Sequence, residues 1–226
     1  MKSTKVEIVL LIVVLLITVA ANQAPLSYGA KTEGAYWYPP VYPKSIGTND
    51  GWVLELSENA NVGGSVNATG TVIKIGDDVL KKQSVAILHF NTASYSIPPT
   101  AVIASAVLKI RRQAIGGTNP FLSFGTLNVD MRKPYFGTST LTPSDFQVAA
   151  GRSVVAAFDR TPVNGWYKAK LNATGRAYIN KNGPTQFRLY FKLGDNNNAI
   201  ADYVSIYSGN ASLALRPVLE IEYYVP

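Results

Sequence analysis

The sequence predicts an all-β chain: an antiparallel β-sandwich of jelly-roll type, with one short helix near residues 172–181. Three observations lead there. Strand-favouring residues dominate, with 13 Tyr and 8 Phe beside many Val, Ile and Thr. Runs of alternating polarity recur along the chain, separated by Gly, Pro and Asn punctuation. A helical period shows itself in one stretch only.

Two long runs organise the rest, Gln83–Asn91 and Ile103–Arg112, joined through Ile97-Pro98-Pro99-Thr100. The first sets Ala86, Leu88 and Phe90 on one face. The second sets Ala106, Leu108 and Ile110 inward and sends Lys109 and Arg111 out the other side, the period-two pattern of a half-buried strand. Such a pair needs a second layer to bury it.

In chain order, a strand is predicted at Trp52–Ser57, then a polar, Gly-rich loop at Asn59–Gly70, a strand at Thr71–Gly76 and a turn at Asp77-Asp78. After the central pair, a loop at Gly116–Pro120 leads to a strand at Thr126–Arg132. Pro134–Ala150 is a long connection in which Leu141–Phe146 forms one helical turn capped by Thr142 or Ser144. Strands follow at Ser153–Asp159 and Gly165–Leu171. Leu171, Thr174, Ala177 and Tyr178 then recur at helical spacing, with Asn172 as N-cap and Gly183-Pro184 as the stop. Thr185–Leu193 is the clearest amphipathic strand, with Phe187, Leu189, Phe191 and Leu193 inward and Gln186, Arg188, Tyr190 and Lys192 outward. The turn Gly194–Asn198 and the strands Asp202–Ser208 and Arg216–Val225 close the chain.

The domain proper is read as residues 50–226, one unit, because 226 residues with 47% hydrophobic content show no shift in composition that would divide them. Residues 31–49 read as an aromatic, Pro-rich linker. Its Tyr36–Pro43 core favours extended or polyproline geometry, so its rings would stack on sugars, add a strand to a neighbouring molecule, or lie over the chain's own core. Residues 1–30 read as a signal peptide. Lys2 and Lys5 precede the apolar run Ile8–Ala21, which is short for a bilayer span, and Val19-Ala20-Ala21 offers a cleavage site. An uncleaved anchor, which would be the only route to a membrane, and a pilin-type leader cut after Lys5 are the alternatives. The expected location is extracellular or cell-surface.

Composition excludes several classes. There is no Cys, so disulfides, thiolate metal sites and a Cys nucleophile are out. The lone His89 lies between Leu88 and Phe90 in a central strand and reads as structural, not as a general base. Glu220 and Glu222 share a face and read as ion-pair partners of Arg188 and Lys192, not as a glycosidase pair. No catalytic residue is predicted, and the chain is not expected to be an enzyme. The net charge of +7 falls only to +6 without Lys2, Lys5 and Glu7, and its spread through the strands favours an anionic polymer over nucleic acid.

Several of these stretches together resemble the DNRLRE domain. They are Gln83–Asn91, Ile97-Pro98 and Ser105–Ile110, with Asp50–Val53 and Ile73–Gly76 upstream. Downstream, Leu171–Thr174 through Tyr178, Tyr207-Ser208 and Arg216–Tyr223 complete the resemblance, over about residues 50–225. It departs at His89, Asn91, Asn172 and Ser208-Gly209-Asn210, where the family carries charged residues. The resemblance implies a secreted, non-catalytic β-sandwich, similar to modules that bind uronic-acid polysaccharide through basic residues.

The expected ligand site is a basic groove of Lys109, Arg111, Arg188 and Lys192, with Tyr190 or Trp166 stacking on a sugar ring and Arg holding a carboxylate. The partner is polysaccharide or a cell-envelope polymer. Self-assembly into a filament or surface layer, by donation of the Tyr36–Pro43 segment, is the other class of role. No cofactor is expected. Asp195 and Asp202, and less so Asp77-Asp78, are weak candidates for calcium. Asn67, Asn172 and Asn210 head glycosylation sequons, no more than Asn, Ser and Thr abundance gives by chance.

Overall fold

The computed structural model describes residues 34–226, so the predicted leader lies outside the described residues. The described chain is all-β. Its strands are β1 (Tyr36–Trp37), β2 (Gly51–Glu55), β3 (Gly63–Asn67), β4 (Val72–Asp77), β5 (Gln83–Asn91), β6 (Val102–Gly116), β7 (Leu127–Arg132), β8 (Arg152–Ala157), β9 (Trp166–Lys170), β10 (Pro184–Phe191), β11 (Tyr203–Tyr207) and β12 (Val218–Val225). Two short helices join them, α1 (Pro120–Ser123) and α2 (Ala173–Tyr178).

All twelve strands hydrogen-bond into one antiparallel sheet in the order β1-β12-β6-β11-β4-β5-β10-β7-β8, with β9 on β6, β2 on β5 and β3 on β2. The sheet curls because β6 is 15 residues long: its first part pairs with β12 and β9, its last part with β11. The sandwich-like result encloses one core. Leu88 and Phe90 of β5, Leu108 and Ile110 of β6, Phe187 and Leu189 of β10 and Leu219 and Ile221 of β12 all point into it and are buried.

α1 falls where sequence reading placed a loop. Four residues are shorter than the window in which a helical period shows, yet Asn119 accepts a hydrogen bond from the Phe121 N–H, Pro120 opens the turn, and Phe121 stacks on Tyr167 at 4.8 Å. β3 was also missed, since Gly63, Gly64 and Asn67 carry a loop's composition. Leu193, expected inward, lies past the end of β10 and is 52% exposed.

Residues 36–45, expected to be a linker, form the edge of the sheet. Tyr36 and Trp37 pair with Val225 and Tyr224, Val41 exchanges backbone hydrogen bonds with Ile221 (3.0 and 2.9 Å), and Leu219 N–H donates to Pro43 C=O at 2.9 Å. Tyr38 stacks on Tyr223 at 5.2 Å. Prolines 39, 40 and 43 are tolerated because an edge strand need bond on one side only. The segment is anchored at its far end by the buried Asp50 carboxylate, which accepts from Ser45 Oγ (2.6 Å), His89 N–H (2.6 Å) and Gly209 N–H (2.9 Å). Gly47 sits there because a Cβ would lie 2.2 Å from Asn210 Oδ1.

Candidate functional site

The six expected ligand residues do not converge. Lys109, Arg111 and Trp166 come together on the solvent face of the β12–β6–β9 part of the sheet. Register puts them there: Lys109 is opposite Lys168, Arg111 is opposite Trp166, and Val218 lies between Lys109 and Lys44. Directly opposed residues share a face, and this is the face turned away from Leu108 and Ile110. Trp166 starts β9 because Asn164 and Gly165 form a two-residue turn with φ of 51° and 82°, closed by reciprocal bonds between Val163 and Trp166 (2.9 and 3.0 Å). An Asn-Gly pair between two strands is the strongest short hairpin signal, and here it marks the start of β9.

The indole of Trp166 is flanked by cations. The Arg111 guanidinium carbon lies 5.7 Å from the ring centroid and Lys109 Nζ 6.0 Å, within reach of a cation–π attraction. Lys168 and Lys170 project from β9 beside them and are exposed. Glu220, opposite Val107, reaches Lys109 at 3.6 Å. So the acid pair of the last strand does not meet Arg188 and Lys192, as expected from the amphipathic pattern; β12 borders β6, not β10. Among the described residues no carboxylate lies within ion-pairing distance of Arg111, Lys168 or Lys170. Burial and then the charge of Lys109 hold the Lys44 ammonium below its ordinary pKa.

Arg188 and Tyr190 are elsewhere, under a cover. Residues 134–150 fold across the outer face of β2, β5 and β10, and Phe136 and Leu141 form a second, smaller core with Val53, Val85 and Ile87. Beneath it Arg188 donates to Asp130 at 2.8 Å and to the carbonyls of Asp145, Phe146 and Val148 (3.2, 2.9 and 2.8 Å), and stacks over Phe136 at 4.6 Å. Tyr190 OH donates to Asp130 Oδ1 at 3.2 Å, and burial, with the charge of Asp130, pushes its phenol up to about 12. These two residues hold the cover down. Lys192 lies beyond the end of β10, exposed and apart from both groups.

The remaining candidates also resolve. His89 is 4% exposed and stacks on Tyr135 at 5.8 Å, with burial lowering its pKa. Asp202 is fully buried, and its carboxylate accepts from Thr118 N–H and from the side-chain amides of Asn196 (2.7 Å) and Asn198 (3.0 Å). Asp195 accepts from Asn197 N–H at 2.9 Å. Among the described residues no three carboxylate or imidazole groups are placed to hold a metal ion together. Asn172 caps α2 by accepting from Gly175 N–H at 2.9 Å and stays exposed, whereas the Asn210 amide donates to three carbonyls, of Gly47, Ala68 and Gly70. Asn67 accepts from Gly70 N–H at 2.9 Å.

No family model and no curated protein matches this chain.

Proposed function

We propose that the protein is a non-catalytic extracellular module that binds anionic polysaccharide on the outer face of β6 and β9, with Trp166 as the stacking platform and Lys109 and Arg111 as the carboxylate-binding cations. The observation that carries this reading is a local rule broken on that face. Lys109 and Lys168 are directly opposed like charges with Lys44 one strand further on, an arrangement that costs stability and is repaid when an anion lies across it. A half-buried indole beside Arg111, which has no carboxylate within ion-pairing distance among the described residues, and beside Lys109, held only by the weak pair with Glu220, is the chemistry that grips a charged sugar: the ring covers the apolar face of the pyranose and the guanidinium takes the carboxylate in two parallel hydrogen bonds. The resemblance to DNRLRE modules supports the same reading. Filament assembly by strand donation gains no specific support, because the segment that would be donated is seated on β12 of its own chain.

The test is retention on immobilised polygalacturonate at low ionic strength, with dextran as the neutral control. The native protein is expected to be retained on the first only, and Lys109→Ala, Arg111→Ala and Trp166→Ala each to lose retention while Lys192→Ala does not. Equal retention on dextran, or binding indifferent to all three changes, contradicts the reading.

A further inference from the structure

The charges on this face are sorted by strand, and the sorting gives the ligand a direction. Trp166, Lys168 and Lys170 line β9, and Lys109 and Arg111 line β6, while the neighbouring β12 presents Glu220 and Glu222 on the same side. A chain running across the strands from β9 reaches Glu220 two strands on in the Lys170–Val107 row, and in the Lys168–Lys109 row it crosses the buried Val218 before it meets Lys44. A chain running along them meets Arg111 with Trp166, then Lys109 with Lys168, then Lys170. Successive rows are about 6.7 Å apart along a strand, so three rows span about 13 Å, and the two strands are about 4.8 Å apart.

Resting on the reading above, we propose that the ligand is a linear polyanion lying parallel to β6 and β9, that Lys168 and Lys170 are binding residues, and that Glu220 is an internal competitor that holds Lys109 while the lane is empty. Glu220 is the one carboxylate within ion-pairing distance of these cations among the described residues, at 3.6 Å from Lys109 with both side chains about a third exposed. Such a pair is weak and exchangeable. A carboxylate or sulfate on the polymer replaces it without rebuilding the sheet. Glu222, opposite Ser105, walls the lane on the β12 side. The length of the lane favours an oligomer over a single sugar, whose one charge would reach only one row.

The test compares the full protein with Glu220→Gln, Lys168→Ala and Lys170→Ala. The probes are polygalacturonate for carboxylates, dextran sulfate for sulfates, single-stranded DNA as the non-saccharide polyanion, and monomeric galacturonate. Glu220→Gln is expected to bind the matching polysaccharide about three-fold more tightly, and each lysine change about three-fold more weakly, the size of one exposed ion pair. Monomeric galacturonate is expected not to compete. Thermal melts of all three variants report that the fold is intact, and a gain of affinity on removing a charge cannot come from damaged structure. If the native protein binds neither polysaccharide, the functional reading and the lane fall together. If it binds but Glu220→Gln shows no gain and the lysine changes no loss, the lane alone is overturned. Tighter retention of DNA than of either polysaccharide overturns the assignment of the polymer.

Discussion

Residues that look alike in the sequence do opposite jobs in the fold. Lys109, Arg111 and Arg188 all read as outward cations on amphipathic strands, and the alternation is right for each. What alternation does not say is whether the outward face meets water. Arg188 meets Asp130, three carbonyls and Phe136, so Arg188→Ala strands a buried carboxylate and is expected to cost about 3–5 kcal/mol in denaturant unfolding. Lys109→Ala is expected to stay within about 0.5 kcal/mol. Asp50 gives a pH signature at the same scale. Burial raises its carboxyl from 3.8 to about 7 against the pull of Ser45, the His89 and Gly209 amides and Arg216. The folded state therefore holds a proton that the unfolded state releases, and this contribution is complete below pH 3.8 and lost as pH rises toward 7. The stability advantage of the native protein over Asp50→Asn is expected to shrink between pH 4 and 7 and to level off above; an advantage that is constant over that range contradicts the assignment.

Elements with a long, regular period were legible in the sequence; those built by tertiary contact were not. β5, β6, β10 and β12 announce themselves by alternation, and α2 by its spacing and its Asn172 cap, whose replacement by Ala is expected to lower stability by about 1 kcal/mol in thermal melts. The edge segment 36–45 was read as linker because three prolines argue against a central strand, and nothing in its own sequence tells that β12 is there to receive it. The covering segment 134–150 has no period at all, so the second core over Val85 and Ile87 could not be foreseen. Both make the same kind of prediction. A protein lacking residues 1–45 exposes the backbone edge of β12 and is expected to melt lower and to self-associate in size-exclusion chromatography; an unshifted, monomeric truncation would contradict the role given to the edge. Phe136→Ala, emptying the second core, is expected to cost about 3–5 kcal/mol.

At the scale of the whole molecule, the curl of the sheet leaves two outer faces, and the chain treats them differently. One, over β2, β5 and β10, is sealed by its own segment 134–150 and by Arg188. The other, over β12, β6 and β9, is left with opposed lysines, a half-buried indole and two carboxylates at its border. Half of the candidate site was therefore legible, the half on β6 and β9, and the rest was misplaced because a basic residue on a polar parity looks the same whether a loop covers it or not. The most direct measurement is a backbone amide map of the protein during titration with a short oligogalacturonate. Shifts are expected to cluster at Lys109, Arg111, Trp166, Lys168 and Lys170, with the Trp166 indole N–H among the largest. Shifts clustered around Arg188 and residues 134–150, or no shifts at any saturating concentration, would contradict the account.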